Sequence, residues 1–255
     1  MGSRTLTRAA EPDRFEHAEF TVLDHRYGPS GGTPFVLVHG IGVGLSYFKP
    51  LAPLLAEHGP VHVLELPGFG SAPKPPEVLS VEDHAGLVVA LLRSIGRPVV
   101  LVGQSMGCQI VLEVALRVPE LVERVVAIGA VTDPDERSAV LQGLRLTQDV
   151  LGEPPATNWR VFSEYLKCGP RRYLATLPSM LAYDTDAAAS AVTVPTMLIR
   201  GSKDPICRRP WARRLAARFA VGGLIEIPGA HHNANSSHPR AVASAILSAQ
   251  LRPRA

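Results

Sequence analysis

Val99-Val-Leu-Val-Gly-Gln-Ser105-Met-Gly-Cys-Gln-Ile110 is the stretch from which the rest of the chain can be read. Its first four residues form a continuous apolar, β-rich run, the mark of a strand buried on both faces. The run stops at Gly103, and from Met106 to Arg117 apolar residues return at helical spacing. Gly103 and Gly107 frame Ser105, so the chain passes from strand to helix in a turn too tight for large side chains. A serine held there stands clear of the sheet at a helix N-terminus, where the helix dipole favours negative charge. A G-x-S-x-G pentapeptide alone is weak evidence, but between a strand and a helix it makes Ser105 a candidate nucleophile.

Similar runs recur outward from this point. Phe35 to Val38, Val61 to Leu66, Val125 to Ile128, Met197 to Ile199 and Leu224 to Ile227 read as buried strands. The segment Phe15 to Tyr27 holds one or two leading strands, turned by the Gly/Pro-rich Gly28 to Gly32. Tyr47 to Glu57 and Ser80 to Ser94 read as helices between strands, the second opening on a capping-box-like Ser80-Val-Glu-Asp83. The alternation predicts an α/β fold with a mostly parallel central sheet of about eight strands flanked by helices. From Asp133 to Ala189 no β run appears, only helical pieces punctuated by Gly152, Pro154, Pro155, Gly169, Pro170 and Pro178. The chain therefore divides into a core of residues 1–132 and 190–255 and a helical cap, 133–189, inserted after the sixth strand.

A serine hydroxyl is a poor nucleophile at neutral pH and needs a base, which in turn needs a group to fix its tautomer. Pro228-Gly-Ala-His231-His232 follows the last strand, and Gly201-Ser-Lys-Asp204-Pro205 follows the one before it. Both loops leave the same edge of a parallel sheet. The order Ser105, Asp204, His232 is that of the α/β-hydrolase family, and the chain resembles that family over nearly its whole length. Val36-Leu-Val-His39-Gly40 is similar to its strand-to-oxyanion-loop motif, and Leu64-Glu-Leu-Pro67-Gly68-Phe69-Gly70 to its D-x-P-G-x-G loop, with Glu65 for the usual Asp. Its last loop is often P-G-A-G-H with a Pro further on, and here Pro239 stands in register with His232, while His231 replaces the usual Gly. The resemblance implies His232 as base, Asp204 as orienting acid, and the backbone N–H groups of Ile41 and Met106 as oxyanion donors. It also implies a pocket near His39, Gly40 and Gln104, with Trp159 and Tyr183 of the cap as further candidates. Asp133 and Asp135, after the strand Val125 to Ile128, are rival acids.

Composition narrows the function classes. Of 255 residues 46% are hydrophobic and 19% charged, ample for a core. The formal charge is +3, and the basic residues, almost all arginine, are scattered, so no nucleic-acid footprint is marked. Apolar runs are too short to span a bilayer. Three separated cysteines without a C-x-x-C pair argue against a disulfide framework or thiolate metal site, and no apolar leader precedes the core, so a cytoplasmic protein is expected. No histidine spacing marks a metal site, and no cofactor is expected. The sequence thus predicts a serine hydrolase for a carboxylic ester or lactone of a small, fairly apolar molecule. Carbon-carbon bond cleavage by the same triad and a ligand-binding role are the alternatives; Asn233 stands where ring-fission hydrolases usually carry Trp. Oligomeric state has no sequence signature here.

Overall fold

The computed structural model describes residues 11–248. Eight strands form one sheet: β1 (Asp13–His17), β2 (Phe20–Tyr27), β3 (Phe35–Val38), β4 (Val61–Glu65), β5 (Val99–Gln104), β6 (Val122–Ile128), β7 (Thr196–Gly201) and β8 (Gly222–Ile227), in the spatial order β1-β2-β4-β3-β5-β6-β7-β8. The β1–β2 and β2–β4 pairings are antiparallel and all others are parallel. The architecture is the one expected, with both leading strands present.

Successive residues of the central strands point to opposite faces, and each face is covered. Val36, Val38, Leu101 and Leu198 pack in a core with α3 (Val81–Ile95) and α4 (Met106–Arg117). Leu37, Val100, Val102 and Ile199 pack on the other side with two short helices, α1 (Leu45–Phe48) and α2 (Ala52–Leu55). The single helix expected from Tyr47 to Glu57 is thus two, separated around Pro50, whose ring cannot continue a helix. The Ser80 capping box forms: Asp83 N–H donates to Ser80 Oγ at 3.1 Å, and Ser80 N–H donates to Asp83 Oδ2 at 2.9 Å.

Between β6 and β7 lie α5 (Ala139–Gly152), α6 (Pro155–Cys168), α7 (Pro170–Ala182) and α8 (Thr185–Ala191). The first three roof the carboxyl edge of the sheet. The fourth packs back on α4, where Gln109 Nε2 donates to Thr185 Oγ1 at 3.2 Å and to Thr132 Oγ1 at 3.0 Å. After β7 and β8 come α9 (Arg209–Ala216), α10 (Ala234–Ser237) and α11 (Pro239–Ser248). Among the described residues no helix is long and apolar enough to cross a membrane.

Candidate active site

Ser105 lies between β5 and α4 with φ 55° and ψ −122°, a backbone region that costs a residue with a Cβ of order 1–3 kcal/mol. The surrounding backbone holds it there. Ser105 N–H donates to the Ile128 carbonyl at 2.9 Å. A Cβ on Gly103 would fall 2.3 Å from the Gly107 carbonyl oxygen, and one on Gly107 would fall 2.3 Å from that of Val38. The glycines of the pentapeptide are therefore required by the close approach of three backbone segments. Met106 opens α4, so its N–H has no carbonyl one turn back within the helix. Cys108 Sγ, behind the turn, lies 3.3 Å and 3.2 Å from the carbonyls of Gly103 and Ile128; burial pushes its thiol pKa up and leaves it unreactive.

Because β5, β7 and β8 are parallel, the loops that follow them meet at one edge. Asp204 Oδ2 lies 2.9 Å from His232 Nδ1. Asp204 Oδ1 accepts the N–H groups of Ile206 and Cys207, each at 2.8 Å. Burial would raise the carboxyl pKa, but the His232 charge and hydrogen bond and the two N–H donors outweigh it, so the group stays below its ordinary value. Arg200, buried at the end of β7, braces this loop by donating from Nε to the Cys207 carbonyl at 2.7 Å and from a terminal nitrogen to that of Asp204 at 3.2 Å. The rival Asp133 is engaged elsewhere, 2.6 Å from Arg214, as is the exposed Asp135 at 3.0 Å.

Ser105 and His232 line one cavity of about 210 Å³, with apolar walls from Ile41, Val131, Leu146 and Met180. No hydrogen bond joins the two side chains among the described residues; nucleophile–base contacts often tighten only with substrate bound. Of the pocket candidates, Gly40 and Gln104 line this cavity, whereas His39, Trp159 and Tyr183 do not. His39 is buried beneath it and bridges two loops: Nδ1–H donates to the Gly40 carbonyl at 2.8 Å, and Nε2 accepts Leu66 N–H at 3.1 Å. Burial lowers its pKa and keeps the ring neutral, as that tautomer requires. Trp159 is 68% exposed on the outer side of α6, beside Phe162. Tyr183 is buried against the core, its hydroxyl donating to Glu113 on α4 at 3.0 Å. Its aromatic ring serves packing between insertion and core, a role its residue type alone does not distinguish from pocket lining.

The model of the "Alpha/beta hydrolase family" matches residues 35–245. The chain belongs to the alpha/beta hydrolase family. It is 26% identical to the (E)-2-((N-methylformamido)methylene)succinate hydrolase of Acinetobacter baylyi, over 87% of this chain and 92% of the relative. It is 25% identical to the pimeloyl-[acyl-carrier protein] methyl ester esterase of Pectobacterium carotovorum, over 86% and 94%. A thermophilic esterase from Thermogutta terrifontis shares its fold with a TM-score of 0.78 at 20% identity, covering 95% of this chain and 97% of that one.

In this alpha/beta hydrolase the C-terminal end of α5 brings two acids to the site that sequence reasoning missed. Asp149, in the last turn of α5, lines the cavity; its Oδ1 accepts His232 N–H at 2.9 Å and its Oδ2 accepts Asn233 Nδ2–H at 3.0 Å. Glu153 Oε1 accepts Asn233 N–H at 2.8 Å, and Asn233 Oδ1 accepts the Tyr47 hydroxyl at 2.6 Å. Burial pushes the Asp149 pKa up to about 6 against the opposing effect of His232. Burial would lower that of His232, but Asp204, by charge and hydrogen bond, with Asp149 and Glu153 adding, pushes it up to about 9. No lysine or arginine among the described residues lines the cavity. Nor does any cluster of three or more His, Cys, Asp or Glu among them suit a metal ion.

Proposed function

We propose that the chain is a serine hydrolase that cleaves a carboxylic ester or lactone of a small, fairly apolar, uncharged molecule through an acyl-enzyme. The observation that carries this reading is the 2.9 Å contact of His232 Nδ1 with Asp204 at the wall of an apolar cavity that Ser105 also lines. Asp204 holds the proton on Nδ1, leaving Nε2 free to accept one. Ser105 Oγ attacks the carbonyl carbon as its proton passes to Nε2. The carbonyl oxygen becomes an oxyanion facing the N–H groups of Ile41 and Met106. Collapse expels the alcohol, which takes the proton from Nε2, and Ser105 is acylated. Water, deprotonated by the same nitrogen, releases the acid and restores the serine.

Charge narrows the substrate class. A dicarboxylate, of the kind for which the Acinetobacter relative is named, would find Asp149 in this cavity and, among the described residues, no lysine or arginine to pair with. The volume, about 210 Å³, is below the usual few hundred of a drug-sized pocket and fits a short acyl group. In the same reading residues 133–189 form the cap, with α5–α7 as its roof and α8 as its return to the core. A cytoplasmic location accords with Cys108, Cys168 and Cys207 being free and buried. Turnover of p-nitrophenyl butyrate that disappears in Ser105→Ala, with the fold retained, is the expected result. Turnover that survives the substitution refutes the assignment.

A further inference from the structure

The loop that carries His232 is held from the cap as well as from the core. Three donors, His232 N–H, Asn233 N–H and Asn233 Nδ2–H, all reach carboxylates at the C-terminal end of α5, those of Asp149 and Glu153. The neighbouring His231 packs against the same turn. Its ring lies so close to Gly152 that a Cβ there would fall 2.0 Å from Cε1. His231 is the residue that departs from the family's usual Gly in this loop, and Gly152 makes the room for it.

This is a poor place for two anions. The C-terminal end of a helix already gathers negative charge, and burial of a carboxylate is costly unless it is well compensated. Among the described residues neither acid is paired with a lysine or arginine; the one ion-pair contact is His231 Nδ1, 3.8 Å from Asp149 Oδ1. The side-chain hydrogen bonds of both acids go to residues 232 and 233 alone. A hydrogen bond to a charged acceptor is stronger than one between neutral groups, so the acids and the loop hold each other.

We propose that Asp149 and Glu153 are positioning residues that latch α5 of the cap to the loop of His232, so that the base is aligned for Ser105 only while the cap is docked. The proposal rests on reading Ser105, His232 and Asp204 as the catalytic set. The latch acts through the loop, since its hydrogen bonds reach residues 232 and 233. The charged and titratable groups facing His232 are Asp204 from the β7–α9 loop, Asp149 and Glu153 from α5, and His231 beside it; Tyr47 on α1 meets the latch through Asn233. The acids all favour the imidazolium, so removing one lowers its proton affinity.

Two measurements on the full chain test this. The Cε1–H resonance of His232, assigned by its loss in His232→Gln, is titrated by NMR in the wild type, Asp149→Asn and Glu153→Gln. For p-nitrophenyl butyrate, kcat and KM are measured across pH in the same proteins and in Gly152→Ala. Asp149→Asn should lower the His232 midpoint by about half a pH unit or more. It should also lower the high-pH plateau of kcat about tenfold or more, with KM changed less than about threefold. Gly152→Ala keeps every acid but drives α5 away from His231, and should cause the same loss in kcat. Adding His231→Gly to Gly152→Ala removes the obstacle and should restore kcat to within about threefold. An unmoved His232 resonance in Asp149→Asn overturns the latch, whether or not the ester is turned over. So does a plateau kcat near wild type in both Asp149→Asn and Gly152→Ala. Absence of wild-type turnover, with the resonance shifted as expected, would count against the catalytic reading and leave the link between α5 and the loop standing.

Discussion

Asp204→Asn changes one atom and reverses what the loop can offer the imidazole. In the native loop Oδ1 accepts two backbone N–H groups, from Ile206 and Cys207, each at 2.8 Å. An asparagine must keep its carbonyl oxygen on those donors, because turning it would set an NH2 against two N–H groups. Its own NH2 then faces His232 Nδ1 across the 2.9 Å gap. A donor there makes Nδ1 the acceptor and moves the ring proton to Nε2, the nitrogen that must take the proton of Ser105. Loss of the corresponding acid in a serine protease triad lowers kcat roughly ten-thousandfold through the same tautomer change. We expect a loss of at least about a hundredfold at neutral pH, a floor set below that reference. Asp133→Asn, whose carboxylate serves Arg214, should stay within about tenfold of wild type. Steady-state kinetics with p-nitrophenyl butyrate on the two purified variants is the assay. Near-normal kcat in Asp204→Asn would rule Asp204 out as the orienting acid, and collapse in Asp133→Asn would move that role to the loop after β6.

Three further outcomes follow from charge. With the His232 pKa raised to about 9, kcat/KM should climb with pH as the imidazole loses its proton, with a midpoint near that value; a flat profile from neutral pH upward would contradict it. The same shift makes a stability contribution that is fully present below the ordinary histidine value and lost as pH rises through about 9, so thermal melts should show the melting temperature falling over that window. Because Asp149 lines the cavity, no lysine or arginine among the described residues does, and the reactive form of His232 is neutral, p-nitrophenyl hemisuccinate should be cleaved with a kcat/KM at least about tenfold below that of the butyrate ester; equal values would remove the charge argument.

The sheet was legible because strands covered on both faces read as unbroken apolar runs, and the turn at Ser105 because its glycines fall in a short local pattern between strand and helix, although Gly107 is also required by its contact with Val38 on β3. Asp204 and His232 could be placed because each follows a strand directly, and parallel strands deliver their following loops to one edge. Residues whose partners lie far along the chain were not legible. Asp149 meets His232 across 83 residues of sequence, and an acid near the end of an amphipathic helix ordinarily reads as part of its solvated face. Tyr183 and Trp159 are both aromatics of the insertion, but ring type does not fix direction: the first turns inward to Glu113 and the second outward to solvent. Pro50 carried a signal for the split between α1 and α2 that the helical pattern around it masked.

If Ser105 is a nucleophile activated by His232 and Asp204, it can be captured covalently. The protein is treated with a fluorophosphonate, digested, and the modified peptide located by mass spectrometry. A single adduct on Ser105 is expected, formed far more slowly in Asp204→Asn and His232→Gln and suppressed by excess ester. An adduct on another residue, or labelling of Ser105 at the same rate in all three proteins, would contradict it.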